Sequence, residues 1–567
     1  MSEYNIEYLN TKNGLNTVKV NNYFLHSKYN PIQEAERIVE KEFEPNYIHV
    51  VFGYGLGYII DEIKKKLHKK ESLIVIDPLY KKIQGNAKNA NHDFILVEDI
   101  RSEVIEEVLN ASLRNLSIKV KIICSPNYDK ILKKEYFVVL ESIKTVQRIH
   151  QVRENTTRQF SFGWQENYIN NILHTYMNHS LKEIKQRYNC PIVVISGGPS
   201  LKKQISMLKK VKDNVIMIAS GSTINSLLHY HIEPDYIVSI DGGISNYNHF
   251  KSIGNIKSHL IFGFSSHYKI QETFPNTKYA LLDAGDNDFQ KYVIDKFAIE
   301  IPLIAGGASV ANFAFTVASY MTKGPIAIIG QDLAYTDNKS HEDSNKHFIK
   351  IDEAYKKERG MFEVNGYYDD KVLTDYAFLL MKKDFERLNK QMKHSAPIFN
   401  CTEGGVKIEG MNQLPFSVFC DLYVNEDVNI KKSNQSKTKN FDLGDFVKKM
   451  QEEISIYNKI MGEIKIGLVK LDRNKSNTVF DKSVLRELDS IDKSIKKYKS
   501  KTAMNHIFDP ITMDVLRNYE PVARESNAEV YQRVFNQNKE LYSRLLEAFE
   551  FSKQYIENVI ENTNKFM

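Results

Sequence analysis

Short runs of β-branched and apolar residues alternate with charged stretches through most of the chain, and this alternation most constrains the fold. Between about Tyr47 and Cys124 the runs are YIHVVFG, SLIVID, DFILVED and VKIICSP. From Pro191 onward they resume as PIVVISG, NVIMIAS, DYIVSID, HLIFGF and PIAIIG. Such runs, separated by helical stretches, are typical of parallel strands covered by helices. The sequence therefore predicts two α/β zones, each with a parallel sheet.

The length of the chain points to several domains. At 567 residues it is well beyond the size at which one hydrophobic core keeps growing, so we expect about three domains. A helical connection separates the two α/β zones, and its aromatic residues, among them Trp164 and Tyr168, are expected to pack. In chain order the predicted parts are a Rossmann-like N-terminal domain (1–150), a central α/β domain (151–430, with its core at 186–425), a linker (431–440) and an all-helical C-terminal domain (441–567).

The linker and the helical domain are predicted from a change of pattern. Residues 431–440, KKSNQSKTKN, are polar and show no periodicity, which is typical of a linker. After them, apolar residues from Phe446 to Leu468 follow at spacings of three and four, as on one face of a helix. This domain would pack as a bundle or contact a protein partner. Its candidate contact residues are Tyr531, Phe535 and Phe549, and the plainer alternative is that these three form the core of the bundle.

Composition and charge exclude several classes of function. The 77 basic and 71 acidic side chains leave a net charge of only +6, and nucleic-acid binding normally shows a clustered basic face instead. The four cysteines are widely spaced, which argues against a disulfide framework or a zinc site. The N-terminal residues lack the pattern of a secretory signal, and no apolar run is long enough to cross a membrane. We therefore expect a cytoplasmic protein.

The first candidate site is the loop FGYGLGY, at the end of the first predicted strand. Its Gly53, Gly55 and Gly57 precede a helical stretch, and Asp77 comes twenty residues after Gly57. In nucleotide and methyl-donor sites such glycines let the backbone approach the ligand, while the acidic residue takes ribose hydroxyls. The spacing is G-x-G-x-G, so the third glycine of the dinucleotide motif is displaced. A structural turn is therefore the preferred interpretation, and a ligand site is the alternative.

The second candidate is the turn Ser196-Gly197-Gly198-Pro199-Ser200, between a predicted strand and an amphipathic stretch. Backbone N–H groups at the start of a helix, next to glycines, can form a seat for an anion, and Ser200 can cap the helix and donate to a phosphate. The turn lacks the Lys-Ser/Thr ending of a P-loop, so ATP hydrolysis is not indicated. A plain strand-to-helix turn is the alternative.

Three further loops follow predicted strands of the same zone. Parallel strands end at one edge of their sheet, so these loops are expected to converge. Taken singly, an aspartate in such a loop is as often a turn cap as a catalytic group, and a loop histidine is often only solvated. The candidate residues are Asp241 and Gly242 in DYIVSIDGG, Gly306, Gly307 and Ser309 in GGASVANF, and Gln331, Asp332, Tyr335 and His341 in GQDLAYTDNKSH.

A metal site is the less favoured interpretation of the last loop. Its carboxylates and histidine could ligate a cation, but their spacing does not match the helical HExxH pattern. The residues in question are Asp332, Asp337, His341, Glu342 and Asp343.

These motifs resemble those of the motility accessory factors, or Maf proteins, which are bacterial flagellin glycosyltransferases. The resemblance rests on ISGGPSL, EPDYIVSIDGG, AGGASVANFAF, IGQDLAYTDNKSH and NCTEGGVKIEG, in that order from Pro191 to about Gly410. The central domain of that family is similar in turn to bacterial sialyltransferases, in which a GGPS-like loop holds the CMP part of an activated nine-carbon acidic sugar. The resemblance implies the same three domains that are predicted above.

The reaction that the resemblance implies is transfer of a nonulosonic acid, of the pseudaminic, legionaminic or sialic type, from its CMP ester to serine or threonine hydroxyls of flagellin. Such a transfer needs hydrogen-bond donors for the departing phosphate and a base for the acceptor hydroxyl. A departing monophosphate needs no metal to bridge it, so neither a metal nor a cofactor is expected. The expected partners are flagellin and the CMP-sugar, without nucleic acid or membrane.

The resemblance also implies roles for individual residues. His341 is the favoured base and Asp241 its rival, while Asp332 completes the catalytic set by orienting the sugar or the loop. The loop CTEGG is expected as a further rim element, with a structural turn as its alternative. The residues expected to bind the donor are Ser196, Gly197, Gly198, Pro199, Ser200, Ser220, Asn225, Gly242, Gly306, Gly307, Ser309, Gln331, Tyr335, Thr402 and Glu403.

Three rival functions stay open at this point. One is a methyl-donor or nucleotide-binding enzyme that uses the first glycine loop. Another is a pterin pyrophosphokinase, to which the GGPS domain is distantly similar and which would need ATP and magnesium. The third is a flagellin-binding chaperone without catalytic activity.

Overall fold

The computed structural model describes residues 4–68, 71–85, 93–112, 119–251, 253–425, 430, 441–475, 479, 482–499, 501–521 and 525–567. The chain divides into two compact units, Met1–Asn155 and Thr156–Met567. The predicted linker, residues 431–440, lies outside the described residues.

The first unit contains a small antiparallel sheet and a parallel sheet. Its elements, in chain order, are β1 Ile6–Asn10, β2 Asn16–Val20, β3 Tyr23–Phe24, α1 Pro31–Glu42, β4 Ile48–Phe52, α2 Tyr58–Lys66, β5 Leu73–Ile76, α3 Tyr80–Gln84, β6 Ile95–Val97, α4 Ser102–Ser112, β7 Val120–Cys124, α5 Tyr128–Ile131 and α6 Lys133–Met177, the last of which continues into the second unit. Strands β1, β2 and β3 form the antiparallel sheet, and the parallel sheet has the order β6-β5-β4-β7. The four predicted β-branched runs become these four parallel strands, so the α/β prediction for this unit is confirmed.

The second unit begins with a larger α/β region. Its elements, in chain order, are β8 His179–Ser180, β9 Ile192–Ile195, α7 Leu201–Val211, β10 Ile216–Ser220, α8 Thr223–His229, β11 Tyr236–Ser239, α9 Ile244–Phe250, β12 His259–Gly263, α10 Tyr268–Thr273, β13 Lys278–Asp283, α11 Asn287–Phe297, β14 Leu303–Ile304, α12 Val310–Met321, β15 Ile326–Ile329, α13 Glu353–Arg359, β16 Phe362–Asn365, β17 Lys371–Thr374, α14 Tyr376–Gln391, β18 Ile398–Asn400, β19 Asn412–Gln413 and α15 Phe416–Tyr423. Short 3-10 helices cover Leu181–Ile184 and Thr336–Asn338.

The main sheet of this unit is parallel, with the order β14-β13-β12-β11-β10-β9-β15-β18-β19 and with β8 beside β13. The chain first moves outward from β9 to β14 and then returns to place β15 on the other side of β9. The direction of winding therefore reverses between β9 and β15. In open α/β sheets, ligands bind beyond the carboxyl ends of the strands at such a switch point.

Both faces of this sheet are buried, as the β-branched runs predict. Along β9, Ile192 and Val194 pack into one core with α12, while Val193 and Ile195 pack into another with α7 and α15. Alternate residues of a strand point to opposite faces, so one short run supplies both cores. The strands are thereby held rigidly, and their carboxyl ends form a fixed edge.

The last part of the second unit is helical, as predicted. Its helices are α16 Leu443–Arg473, α17 Lys482–Lys499, α18 Asn505–Asn518 and α19 Asn527–Asn564. The apolar face of α16 joins a core that also contains residues of α6, α11 and β12, so the helices pack directly on the α/β region. Tyr531, Phe535 and Phe549 are at most 3% exposed in that core. Of the two alternatives for these aromatics, the bundle core is therefore confirmed, and the contact with a partner is not.

No helix within the described ranges is long and apolar enough to cross a membrane.

The carboxylate of Glu453 ties the helices to the α/β region. It is fully buried on α16, pairs with Lys296 Nζ of α11 at 2.7 Å and accepts hydrogen bonds from Tyr292, Tyr457 and the backbone N–H of Ala503. Breaking a buried ion pair by removing one partner leaves the other charge and several donors without compensation.

We predict that Glu453→Ala lowers the free energy of unfolding by about 3–5 kcal/mol, because the partly buried Lys296 loses its partner and the buried donors Tyr292, Tyr457 and Ala503 N–H lose their acceptor. Chemical denaturation followed by far-UV circular dichroism measures the change. The matched control is Glu452→Ala, since Glu452 is exposed on the same helix and its loss should change stability by less than about 0.5 kcal/mol. Equal stability of the two variants would contradict the assigned role of Glu453.

Candidate active site

A cavity of about 720 Å³ opens at the carboxyl edge of the main sheet. Its floor is formed by the ends of six neighbouring strands, β13, β12, β11, β10, β9 and β15. Neighbouring strands lie about 4.8 Å apart, so this floor is about 24 Å long. Helices α6, α12, α14 and α18 contribute its walls. The cavity therefore includes the switch point and extends well beyond it.

Asp332 holds the switch point together. It follows β15 and is only 2% exposed, and its Oδ1 accepts hydrogen bonds from Ser200 Oγ at 2.6 Å and from Thr336 Oγ1 at 2.8 Å. Its Oδ2 accepts the backbone N–H of Ser200 at 3.1 Å. Burial raises the pKa of Asp332, and these hydrogen bonds oppose the shift. The carboxylate thus fixes the GGPS turn against the loop after β15.

Glycines make this close approach possible. A Cβ on Gly198 would collide with Asp332 Oδ2 and lie 2.6 Å from the carbonyl oxygen of Gly330. In the loop CTEGG, a Cβ on Gly404 would collide with Ser200 Oγ, and a Cβ on Gly405 would collide with the backbone of Asp332. Gly405 also has a φ of +68°, which side chains rarely adopt. The glycines of these two motifs serve packing around one carboxylate.

The anion seat predicted at the GGPS turn needs correction. The N–H of Gly198 donates to the carbonyl of Gly330 at 2.8 Å, that of Leu201 donates to Gly198 at 3.1 Å, and that of Ser200 donates to Asp332. Pro199 has no N–H. Ser200 stands at the cap position of α7 without capping it, because its hydroxyl is given to Asp332. The N–H groups of Gly198, Ser200 and Leu201 are therefore engaged within the fold and are not open to an anion.

A second helix start, that of α12, does open into the cavity. Ser309 caps it through its side chain, with Asn312 returning a hydrogen bond in a capping box. Gly307, Ser309 and the first two helical residues, Val310 and Ala311, all line the cavity. The N–H groups of such first-turn residues have no acceptor within their own helix, and the helix dipole is positive there. Of the two predicted anion seats, this one remains available.

His341 lines the cavity on the switch-point side. Burial lowers the pKa of His341 to about 4, and the neighbouring His347 adds to the effect. Its Nδ1 lies 3.2 Å from Ser340 Oγ, and its ring centre is 5.7 Å from that of His347. His347 in turn shares a hydrogen bond of 2.7 Å between Nε2 atoms with His249. At neutral pH the imidazole of His341 is uncharged and able to take up a proton.

Carboxylates and a histidine line the opposite end. Asp241 follows β11 and is exposed, and Asp283 ends β13. Asp286 accepts the hydroxyl of Tyr168 at 2.5 Å and lies 3.5 Å from Nε2 of His506. Burial raises the pKa of Asp286 to about 6 and lowers the pKa of His506 to about 3. This end is therefore acidic at neutral pH.

The cavity brings together about half of the predicted site residues. Those that line it are Ser196, Gly197, Gly198, Ser220, Asp241, Gly307, Ser309, Gln331, Asp332 and His341. Ser196 Oγ donates to Gln331 Oε1 at 2.5 Å across the switch point. Strand ends and loops that are far apart in the chain thus meet at one edge, as the sequence predicts.

The other predicted donor-binding residues do not line the cavity. They are Pro199, Ser200, Asn225, Gly242, Gly306, Tyr335, Thr402 and Glu403.

Contacts with other parts of the fold explain why several of these residues lie outside the cavity. Thr402 accepts the N–H of Gln331, and Glu403 accepts that of Phe416, so the CTEGG loop is a structural turn. Tyr335 donates to Asp375, and Asn225 is held by His249.

Two of the glycines outside the cavity make room for side chains. Gly306 lies against the ring of Phe313, and Gly242 lies against Asn167 and Trp164. Their role is to allow close packing next to the cavity.

The cavity also contains residues that were expected only to pack or were not singled out. Phe160, Trp164 and Tyr168 follow at spacings of four on α6 and so share one face. His506 comes from α18. The aromatic spacing was visible in the sequence, but it does not indicate that this face meets the strand ends, because that contact is tertiary.

The first glycine loop, in the other unit, is closed to ligands. Asp77 is fully buried and accepts the N–H of Tyr54 and the hydroxyl of Tyr128, each at 2.8 Å. The side chains of Tyr128 and His26 fill the space beside the glycines, and they accept the N–H groups of Gly55 and its successor. The structural interpretation of this loop is confirmed, and the methyl-donor alternative has no site there.

Three of the four carboxylates considered as metal ligands are engaged otherwise, Asp332 among them. Glu342 accepts the hydroxyl of Tyr230 at 2.7 Å, and Asp343 pairs with Lys339 at 2.8 Å. No group of three His, Cys, Asp or Glu side chains is arranged to hold a metal in the part of the chain that the structure describes.

The structure is that of an α/β protein with a cavity at a topological switch point, and comparison with known proteins agrees on the fold. The chain is similar to the solved structure of a Maf glycosyltransferase from Magnetospirillum magneticum AMB-1, with a TM-score of 0.50 and 13% identity. The similarity covers 99% of this chain and 92% of the other. The resemblance to Maf proteins stated from the sequence is thereby confirmed at the level of the fold.

Two sequence comparisons cover smaller parts. A family model described as 6-hydroxymethylpterin diphosphokinase MptE-like matches residues 166–338, which hold most of the cavity. An uncharacterized protein of Treponema pallidum (strain Nichols) is 36% identical over 66 residues. That match spans 11% of this chain and 22% of the relative.

We predict that Gly198→Ala lowers the free energy of unfolding of the second unit by about 1–3 kcal/mol, because the added methyl group pushes Asp332 away from Ser200. Denaturation followed through the fluorescence of Trp164, the chain's single tryptophan, measures the change. Gly163→Ala is the control, since a Cβ there meets nothing within 4 Å and should stabilise α6 by up to about 1 kcal/mol. An unchanged midpoint for Gly198→Ala would show that the turn is not tightly packed.

Proposed function

We propose that the protein is a glycosyltransferase that moves a nonulosonic acid from a CMP-activated donor to serine or threonine hydroxyls of flagellin. The observation that carries the proposal is the cavity at the switch point, which places a neutral histidine and an open helix start at one sheet edge. The shared fold with a Maf glycosyltransferase supports it.

The departing CMP would be stabilised at the start of α12. A CMP ester carries negative charge on its phosphate, and this charge grows as the bond to the sugar breaks. No lysine or arginine lines the cavity within the described ranges, so neutral donors must meet the charge. The N–H groups of Val310 and Ala311 and the positive end of the helix dipole supply them.

His341 would act as the base. The hydroxyl oxygen of the acceptor attacks the anomeric carbon, the bond from that carbon to the phosphate oxygen breaks, and CMP leaves with the electron pair. The hydroxyl proton passes to His341, which is neutral because its site is buried. Asp241, which also faces the cavity, is the rival base. Asp332 fixes the GGPS turn against the loop after β15, and His341 belongs to that loop.

A pterin diphosphokinase is the second candidate, since the matching family model has that description. Such an enzyme would transfer a diphosphate from ATP to the hydroxymethyl group of the pterin and release AMP. Magnesium-dependent release of AMP from ATP in the presence of 6-hydroxymethylpterin would favour it. A catalytically inactive flagellin-binding chaperone is the remaining alternative.

We predict that the purified protein, given a CMP-nonulosonic acid and its cognate flagellin, increases the intact mass of flagellin by whole sugar units and releases CMP in equal amount. His341→Gln should lower kcat by about 10²–10⁴-fold with little change in CMP affinity, because only proton transfer is lost. His229→Gln is the control, since His229 is exposed and does not line the cavity. Flagellin of unchanged mass with every CMP-nonulosonic acid would refute the transfer, and binding of flagellin alone would favour the chaperone.

The dependence of kcat/KM on pH should show whether the base is the neutral imidazole of His341. Because burial holds the pKa of His341 at about 4, the imidazole stays unprotonated well below neutrality. In an Asp286→Asn variant, which removes the cavity carboxylate of pKa about 6, we predict that kcat/KM stays level from about pH 8 to about pH 5 and falls only as the pH approaches about 4. A fall centred at about pH 6.5, the value of an unperturbed histidine, would show that the base is not this buried group.

A further inference from the structure

The end of the cavity away from the switch point carries an aromatic surface formed by Trp164 and Phe160. The two rings are stacked, 6.2 Å apart between centroids and at 26° between their planes, and both line the cavity. Trp164 is half-buried and packs against Gly242, because a Cβ added to Gly242 would lie 3.1 Å from Cδ1 of Trp164. Phe160 is 37% exposed. The indole N–H of Trp164 has no acceptor among the described residues. Gly242 is predicted from the sequence as a ligand contact, but in the structure its lack of a side chain leaves room for the indole of Trp164.

Carboxylate oxygens stand beside this aromatic surface. Asp241 directly precedes Gly242, and its Oδ1 accepts the N–H of Gly243 at 2.8 Å. Asp283 uses its Oδ1 in the same way for Gly285, also at 2.8 Å. The Oδ2 atom of each has no hydrogen-bond donor in the described part of the chain. Ionised carboxylates only accept hydrogen bonds, so a ligand at this end must bring donors.

The combination favours a hydroxylated ring. The C–H bonds on one face of a sugar ring carry partial positive charge and are attracted to the negative face of an aromatic ring. The hydroxyl groups at the edge of the sugar can donate to Asp241 and Asp283. A phosphate is disfavoured here, because the carboxylates would repel it and no cationic side chain among the described residues lines the cavity. Arg387 acts on Asp283 from outside the lining, but its guanidinium is bound to Asp384 and to the carbonyl of Gly306.

We propose that this end of the cavity binds the sugar half of the donor, with its ring on Trp164 and its hydroxyls on Asp241 and Asp283, while the CMP half lies towards the switch point and the start of α12. This inference rests on the proposed function. It assigns Trp164 and Asp283 as sugar-binding residues that the sequence did not indicate.

The charges also orient the sugar. A nonulosonic acid carries a carboxylate next to its anomeric carbon and a hydroxylated chain at the other end of the molecule. Asp283 and Asp286 repel the carboxylate and accept from the hydroxylated chain, so the chain points towards β13. The anomeric carbon then faces the phosphate and His341, as transfer requires.

The single tryptophan makes the test direct, since selective excitation of tryptophan reports Trp164 alone. Titration of the full-length protein with CMP-N-acetylneuraminate, CMP-legionaminate or CMP-pseudaminate should change this fluorescence for at least one of them. CMP alone should bind, as measured by calorimetry, without a comparable change.

Two variants distinguish binding of the sugar half of the donor from binding of its CMP half. Trp164→Ala and Asp283→Asn should each weaken binding of the responsive CMP-sugar by about tenfold and leave the Kd of CMP unchanged. Asparagine keeps the Oδ1 acceptor for Gly285, so Asp283→Asn preserves the turn. Phe162→Ala is the control on the same helix, because Phe162 is 40% exposed but does not line the cavity. Circular dichroism confirms that each variant is folded.

The outcomes distinguish this inference from the proposed function. If CMP alone changes the fluorescence as strongly as the CMP-sugar, and Trp164→Ala weakens both equally, the nucleoside occupies this end and the inference is overturned while the function stands. A change caused only by flagellin would also overturn it, because the surface would then receive the acceptor. If neither CMP nor any of the CMP-sugars binds by calorimetry, the proposed function fails, and the inference fails with it.

Discussion

The buried carboxylate of Asp332 is the constraint on which the candidate site depends. It stands at the point where the sheet reverses its winding, and it accepts three hydrogen bonds that fix the GGPS turn and the loop after β15. A buried carboxylate without such partners would be costly, so the turn, the loop and the glycines around it must fit together. His341 follows on the same loop, and the N–H of the next residue, Glu342, donates to the carbonyl of Gly197 at 3.0 Å, so the loop is held to the GGPS turn at a second point.

Charge divides the cavity into two ends. At the switch-point end, donors without formal charge surround a neutral histidine. The positive end of α12 opens into the same cavity, after the strand that pairs with β13. At the other end, Asp241, Asp283 and Asp286 make the surroundings acidic. A CMP-sugar is complementary to these two ends, because its phosphate is anionic and its sugar is rich in hydroxyl groups. The buried core beneath the strand ends keeps both ends in place.

The sequence predicted the architecture because its signals are local. Runs such as PIVVISG are β-branched and bounded by glycine, so they specify buried parallel strands, and parallel strands bring their carboxyl ends to one edge. The convergence of Ser196, Asp241 and Asp332 could therefore be predicted without a structure. The stripe from Phe446 to Leu468 specified the helical region in the same way, through helical periodicity.

The roles of individual glycines and the distant wall residues could not be predicted. A glycine that admits a ligand and a glycine that admits a neighbouring carboxylate look alike in sequence, and Gly198 is of the second kind. Ser200 and Thr402 looked like ligand donors, but tertiary contacts consume their hydroxyls. Trp164 and His506 reach the cavity through helix packing, which no local pattern encodes.

The position of the phosphate in a crystal structure of the protein with bound CMP tests the central claim most directly. The account places the phosphorus atom at the start of α12, with its oxygens within hydrogen-bond distance of the N–H groups of Val310 or Ala311, and leaves the hydrogen bonds between Asp332 and Ser200 intact. A phosphate seated on the N–H groups of the GGPS turn, with Asp332 displaced, would contradict it, as would CMP bound outside this cavity.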